Sequence, residues 1–96
     1  MSLVIDDRID SFQIFQKPSS NVEFFGIDPV SDRLVMQFRN GTSYIYSGIP
    51  TDLQKEAISC ESIGKFFSNN IAGKYESHKV GERLIVRDRK AEEEIF

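Results

Sequence analysis

Tryptophan is absent from the 96 residues, and cysteine and histidine occur once each, as Cys60 and His78. A single thiol leaves no internal disulfide to form, and a structural zinc site would lack its usual ligands. A catalytic thiol–imidazole pair would need Cys60 and His78 themselves to meet. No nucleophile signature surrounds Cys60, which reads as a small residue at a helix end. Long apolar runs are also missing. The N-terminal "MSLVIDDRID" has an apolar run of only three residues directly before its acids, too short for a signal-peptide core or a membrane span. A soluble, cytoplasmic protein without membrane, metal or cofactor is expected.

Other absences bear on catalysis. Around Gly64-Lys65 the phosphate-loop pattern fails on both sides, because Ser59 stands five positions before the glycine and Phe66 follows the lysine. Asp6, Asp7 and Asp10 lack the glycine and downstream glutamate of a calcium loop, and Glu92, Glu93 and Glu94 read as a solvated run. No combination supplies a nucleophile, a base and a stabiliser together, so an enzyme is not expected.

What is present suits one small core. The apolar share is 40%, with eight Phe, enough for a single domain without covalent help. Net charge is -3, but unevenly spread: residues 1–61 carry -4, residues 62–90 carry +4 and residues 91–96 carry -3. Lys65, Lys74, Lys79, Arg83, Arg87, Arg89 and Lys90 make the later stretch basic. Such a patch on a mildly acidic protein can dock a phosphate backbone in a salt-sensitive way, or can be a solvated surface.

Periodicity predicts an α+β fold, a small antiparallel sheet of about three strands in a meander followed by two short helices packed on one face. "VEFFGID" and "RLVMQF" flank a Pro29 turn and read as a hairpin of Val22–Asp28 with Arg33–Phe38. "RLVMQF" and "TSYIYS" flank Asn40-Gly41, the preferred two-residue type I′ loop, which needs positive φ at both positions. That loop opposes Gln37 to Tyr44, Met36 to Ile45 and Val35 to Tyr46. Leu34, Met36, Phe38 and Ile45 then form a core face, and Val35, Gln37, Arg39, Thr42, Tyr44 and Tyr46 a half-polar face. Thr51 and Gln54 are spaced as a capping box before a stripe of Leu53, Ala57 and Ile58. A second helix is expected from near Ser62 to Gly73, burying Ile63, Phe66, Phe67 and Ile71 and leaving Ser62, Lys65, Ser68 and Asn69 outside.

The ends divide the chain into residues 1–18, an arm or extra strand; 19–79, the α+β domain; and 80–96, a strand-like extension with an acidic tail. "IDSFQIFQ" and "RLIVRD" at Arg83–Asp88 each suit an edge strand, an arm on a second copy or a loose extension. "AEEEIF" is expected to be a frayed helix or a disordered tail.

The run from Ser19-Ser20 through "GIDPVSDRL", "FRNG", the Tyr44-Ile45-Tyr46 triplet, "GIP" and "SIGKFFSNNIAGKY" resembles the KTSC domain. That family is named for a C-terminal extension of some lysyl-tRNA synthetases and also occurs as small stand-alone bacterial proteins. The resemblance implies no established activity, although the synthetase attachment suggests RNA binding. It leaves residues 1–18 and 76–96 untouched, and a shared fold does not fix a shared ligand.

Two readings of the tyrosines follow. With Arg39 on the same face, Tyr44 and Tyr46 can stack bases of RNA or single-stranded DNA, with Lys65, Lys74 and Lys79 meeting phosphates, Asn69 or Asn70 reading a base edge and Tyr75 nearby. Alternatively all three tyrosines are packing residues that shield the back of a small sheet. The first reading makes the chain a non-enzymatic nucleic-acid-binding module. The other function considered is an adaptor that meets a protein partner or a second copy through its ends.

Overall fold

The computed structural model describes residues 3–87. Seven strands and two helices follow in the order β1 (Leu3–Ile5), β2 (Gln13–Phe15), β3 (Val22–Asp28), β4 (Arg33–Phe38), β5 (Ser43–Tyr46), α1 (Thr51–Ser59), α2 (Ile63–Asn70), β6 (Ser77–Val80) and β7 (Ile85–Arg87), with a 3-10 turn at Asp7–Ile9. The α+β class with two helices stands, but the antiparallel sheet is larger than three strands. Five strands pair in the order β2-β3-β4-β5-β6, and β1 pairs with β7 in a separate ribbon. The additional strands come from the segments whose periodicity is weakest. Arg89, Lys90 and residues 91–96, where a tail was expected, lie outside the described residues.

The β3–β4 hairpin has the predicted bounds, Val22–Asp28 against Arg33–Phe38. The β4–β5 hairpin does not have the predicted register. Leu34 opposes Tyr46, Val35 opposes Ile45, Met36 opposes Tyr44 and Gln37 opposes Ser43. The reversal is one residue longer than a type I′ loop. Gly41 N–H donates to the Phe38 carbonyl at 3.0 Å and Phe38 N–H to the Thr42 carbonyl at 2.9 Å, enclosing Arg39, Asn40 and Gly41. Only Gly41 has a positive φ, 93°. Asn40 keeps a negative φ and uses its Oδ1 to accept from Thr42 N–H at 2.9 Å. This is a turn closed by a left-handed glycine bulge, which needs Gly at one position only.

The added residue exchanges the faces of β5. Tyr44 and Tyr46 now share a side with Leu34 and Met36, and Ile45 joins Val35 on the other. The expected open tyrosine face is therefore corrected: Tyr46 is 5% exposed within the helix-side core. That core joins Phe25, Ile27, Leu34 and Met36 to Ala57 of α1 and Ile63, Phe66 and Ile71 of α2. The predicted stripe of α2 faces inward, and its Ser62 Oγ accepts from Lys65 N–H as the N-cap.

The second face is buried as well. Phe24, Val35 and Ile45 meet Ile9, Phe12, Leu84 and Ile85 from the two ends of the chain. A register irregularity between Val22 and Phe24 puts Val22 on the same side as Phe25, in the helix-side core, while Phe24 points into the second. Gly26 sits where the second layer closes down, since a Cβ there would lie 2.7 Å from Ile14 Cδ1 and 2.9 Å from Val35 Cγ1. The capping box of α1 is also corrected. Pro50 occupies the N-cap without a side-chain bond, and buried Gln54 turns inward, its Nε2 donating to the Ile49 carbonyl at 2.9 Å. Among the described residues no helix is long and apolar enough to cross a membrane.

Candidate functional site

With the tyrosines turned toward the helices, the side chains of interest meet in a groove along α2. Its floor is a closed set of four rings. Tyr44 and Tyr46, two apart on β5, lie 6.1 Å centroid to centroid at 28°. Phe67 of α2 meets Tyr46 edge-on at 5.5 Å and Phe38 of β4 at 5.4 Å, and Phe38 meets Tyr44 at 5.9 Å. Such pairs each contribute about 0.5–1.5 kcal/mol beyond the area they bury. They pin α2 to the sheet. Burial, with a smaller contribution from the neighbouring Tyr44, pushes the Tyr46 phenol above its ordinary value, so it remains a neutral hydroxyl.

The groove has three adjoining parts. One of about 450 Å³ lies over the rings and is closed by Ala72, Gly73, Tyr75 and Ser77. Gly73, at φ 75°, turns the chain back toward β6, but the helix stops before the expected Gly73, at Asn70 with Ile71 as its C-cap. The next part, about 410 Å³, is shared through Phe38, Asn40 and Phe67 and adds Arg39 and Ser68. The last, about 370 Å³, continues past Ser20, Asn21 and Gly64 to Ser62 and Lys65 at the start of α2 and Asn69 near its end. Among the described residues no aspartate or glutamate lines any of the three. In a chain with 15 acids and 12 basic residues, the acid-free lining with Arg39 and Lys65 favours an occupant rich in acceptors.

Most of the candidate residues converge there. Tyr44, Tyr46 and Tyr75 line the ring-floored part, Arg39 the middle, and Lys65 and Asn69 the far end. Arg39 is held in place by its Nε, which donates to the Ser19 carbonyl at 2.9 Å. Two candidates are used differently. Asn70 Nδ2 donates to the Phe66 carbonyl at 3.1 Å, and Lys74 Nζ donates to the Asn69 carbonyl at 2.6 Å. Both side chains bond carbonyls at the end of α2. The residues without a predicted role are Phe38, Asn40, Phe67 and the Ser20-Asn21 pair. Ser20 and "FRNG" were visible as motif pieces, but Phe38 and Asn40 read as a core residue and a turn residue, with no signal that they bound a cavity.

A small two-sided sheet with a helix-walled groove defines the class: a compact α+β domain. The KTSC domain model matches residues 18–75, and the chain belongs to the KTSC family. It is similar to a KTSC domain protein of Yersinia pestis with a known crystal structure, at a TM-score of 0.68 and 34% identity, covering 73% of this chain and 99% of that one. It is also similar to a protein of Tsukamurella paurometabola, 28% identical over 57 residues, which is 59% of this chain and 85% of the other.

Proposed function

We propose that this chain is a non-enzymatic binding module that holds an unpaired stretch of nucleic acid, RNA in the first instance, in the groove along α2. The observation that carries the proposal is the acid-free lining, in which Arg39 and Lys65 flank aromatic and amide side chains. Phosphates would meet the two cations and bases would lie over the ring floor, a combination of contacts that suits single strands. This differs from stacking on an open sheet, because Tyr46 offers little more than its edge. An RNA ligand is also in keeping with the synthetase attachment that the family resemblance implies. An adaptor acting through its ends has less to draw on, since Ile9, Phe12, Leu84 and Ile85 are buried against the chain's own sheet.

The test is fluorescence anisotropy with pooled, labelled single-stranded RNA over a series of salt concentrations, for the parent and for Arg39→Gln with Lys65→Gln. Each phosphate contact on a single strand contributes about 0.7 to the slope of log K against log salt, so the double variant is expected to lose roughly 1.4. No binding at low salt, or an unchanged slope, refutes the reading.

A further inference from the structure

Asn40 stands where the ring-floored part of the groove meets the middle part and lines both. Its oxygen is spoken for: Oδ1 accepts from Thr42 N–H at 2.9 Å. That bond settles which end of the amide is which, because a backbone N–H can be met only by the oxygen. Among the described residues the Nδ2 amino group makes no hydrogen bond to the protein. Asn40 therefore offers a ligand a donor.

The rest of the lining has the same bias. In the ring-floored part, with no carboxylate among the described residues of the wall, the exocyclic amine of cytosine or adenine finds only hydroxyls and main-chain carbonyls; the Asn21 and Asn69 amide oxygens lie in the other two parts. A ring carbonyl finds the Asn40 amine, the phenol hydroxyls and the Arg39 guanidinium. Keto and amino bases differ at this edge: uracil and thymine carry an O4 acceptor where cytosine carries an N4 donor.

Resting on the nucleic-acid reading above, we infer that the groove selects a keto base, uracil over cytosine, and that the Asn40 amide, fixed by its own turn, is the residue that makes the distinction. The turn that fixes the hairpin register and the group that reads the base are then one side chain. Uracil and cytosine have nearly the same size and stacking surface, so the ring floor cannot separate them. The difference falls on hydrogen bonding alone.

The experiment compares uracil and cytosine homopolymers of equal length by anisotropy, with the parent chain and with Asn40→Asp. The substitution is isosteric and preserves an acceptor for Thr42 N–H, so the turn survives; circular dichroism checks this. It exchanges the outward donor for an acceptor. The added charge weakens both ligands alike, and the ratio of the two affinities is what is read. The parent is expected to prefer uracil by about tenfold, equivalent to about 1.4 kcal/mol, and Asn40→Asp to abolish or invert the preference. Equal binding of both homopolymers by the parent, or a uracil preference that survives Asn40→Asp, overturns this inference and leaves the binding reading standing. If neither homopolymer binds at low salt, both fall.

Discussion

The side chain on which the two-sided fold most depends is Gln37, and its replacement by leucine tests the architecture directly. Gln37 is fully buried. Its Nε2 donates to Glu23 Oε1 at 2.7 Å and to the Ile85 carbonyl at 2.8 Å, and its Oε1 accepts from Leu84 N–H at 3.0 Å and Ile85 N–H at 2.8 Å. The reason lies in the ribbon. Asp6 N–H donates to the Leu84 carbonyl, which makes Ile5 and Ile85 a pair without mutual hydrogen bonds and turns the N–H and C=O of Ile85 away from β1. The Gln37 amide meets them as a further strand would. One side chain closes the open edge of β7.

Leucine in its place fills similar space but leaves three main-chain groups, Leu84 N–H, Ile85 N–H and Ile85 C=O, without partners; Glu23 is half-buried and can turn to water. At about 1 kcal/mol for each lost bond the cost is about 3 kcal/mol, and more if the groups stay buried. At about 4–8 °C per kcal/mol for a domain of this size, Tm should fall by roughly 12–24 °C. Thermal melts followed by circular dichroism give the total, and amide hydrogen exchange locates it, with Leu84 and Ile85 losing protection before the strands of the central sheet. A melt within a few degrees of the parent, or an unchanged exchange rate at Ile85, would refute the argument that this amide holds the second layer.

Two other outcomes follow from the same packing. Tyr46→Ala should cost about 3–5 kcal/mol, the usual range for emptying a buried aromatic site, whereas Tyr46→Phe removes only the hydroxyl and should leave the chemical-denaturation midpoint nearly unchanged; equal midpoints for Ala and Phe would place the ring outside the core. Asp28 is held at about 2 by the hydroxyls of Ser31 and Ser11 and the Arg33 guanidinium, against an ordinary value of 3.8. Its folded pKa is lowered, so its contribution is complete above the unfolded value and is lost as pH falls from near 3.8 toward 2. Asp28→Asn should flatten stability against pH in that window without abolishing the slope, since Asp6, paired with Arg8, is likewise held at about 2.

The sequence made some elements legible and hid others, and the difference is physical. The stripe Ile63, Phe66, Phe67, Ile71 has one solution, a helix with that side buried, because Lys65, Ser68, Asn69 and Asn70 between them are polar. The β3–β4 hairpin was equally plain, as Pro29 and the acids around it stop both strands. The register of β4 and β5 was not, because alternation identifies a buried face only when the other face is wet. Here both faces are covered, so Leu34 and Met36 on one side are matched by Val35 and Ile45 on the other, and pattern alone accepts either register. The decision fell to the turn, where the shorter loop would have demanded a positive φ of Asn40. Gln37 shares its side of β4 with Val35 as expected, but that side is covered and Gln37 is fully buried rather than on a half-polar face, since a side chain that bonds distant main-chain groups leaves no local mark.

That two-sidedness separates what the flanks do from what the groove does. The matched segment, residues 18–75, contains β3, β4, β5, α1 and α2, and contributes nearly all of the groove, with Ser77 just beyond it. It also presents Phe24, Val35, Ile45 and Gln37 on the opposite face, and the residues that cover them, Ile9, Phe12, Leu84 and Ile85, lie outside the match. The two faces are not independent, because Met36, Tyr44 and Tyr46 alternate along the same strands with Val35, Gln37 and Ile45. Stripping the second layer would expose apolar and amide groups on the back of each strand and loosen the register that sets the ring floor. A chain trimmed to residues 18–79 would then lose any groove ligand through the sheet, without its ends ever having touched that ligand. The strand-like termini are thereby accounted for as the back wall of the domain. Ile9, Phe12, Leu84 and Ile85 are spent within the chain, whereas Leu3, Val4 and Val86 of the β1–β7 ribbon remain exposed.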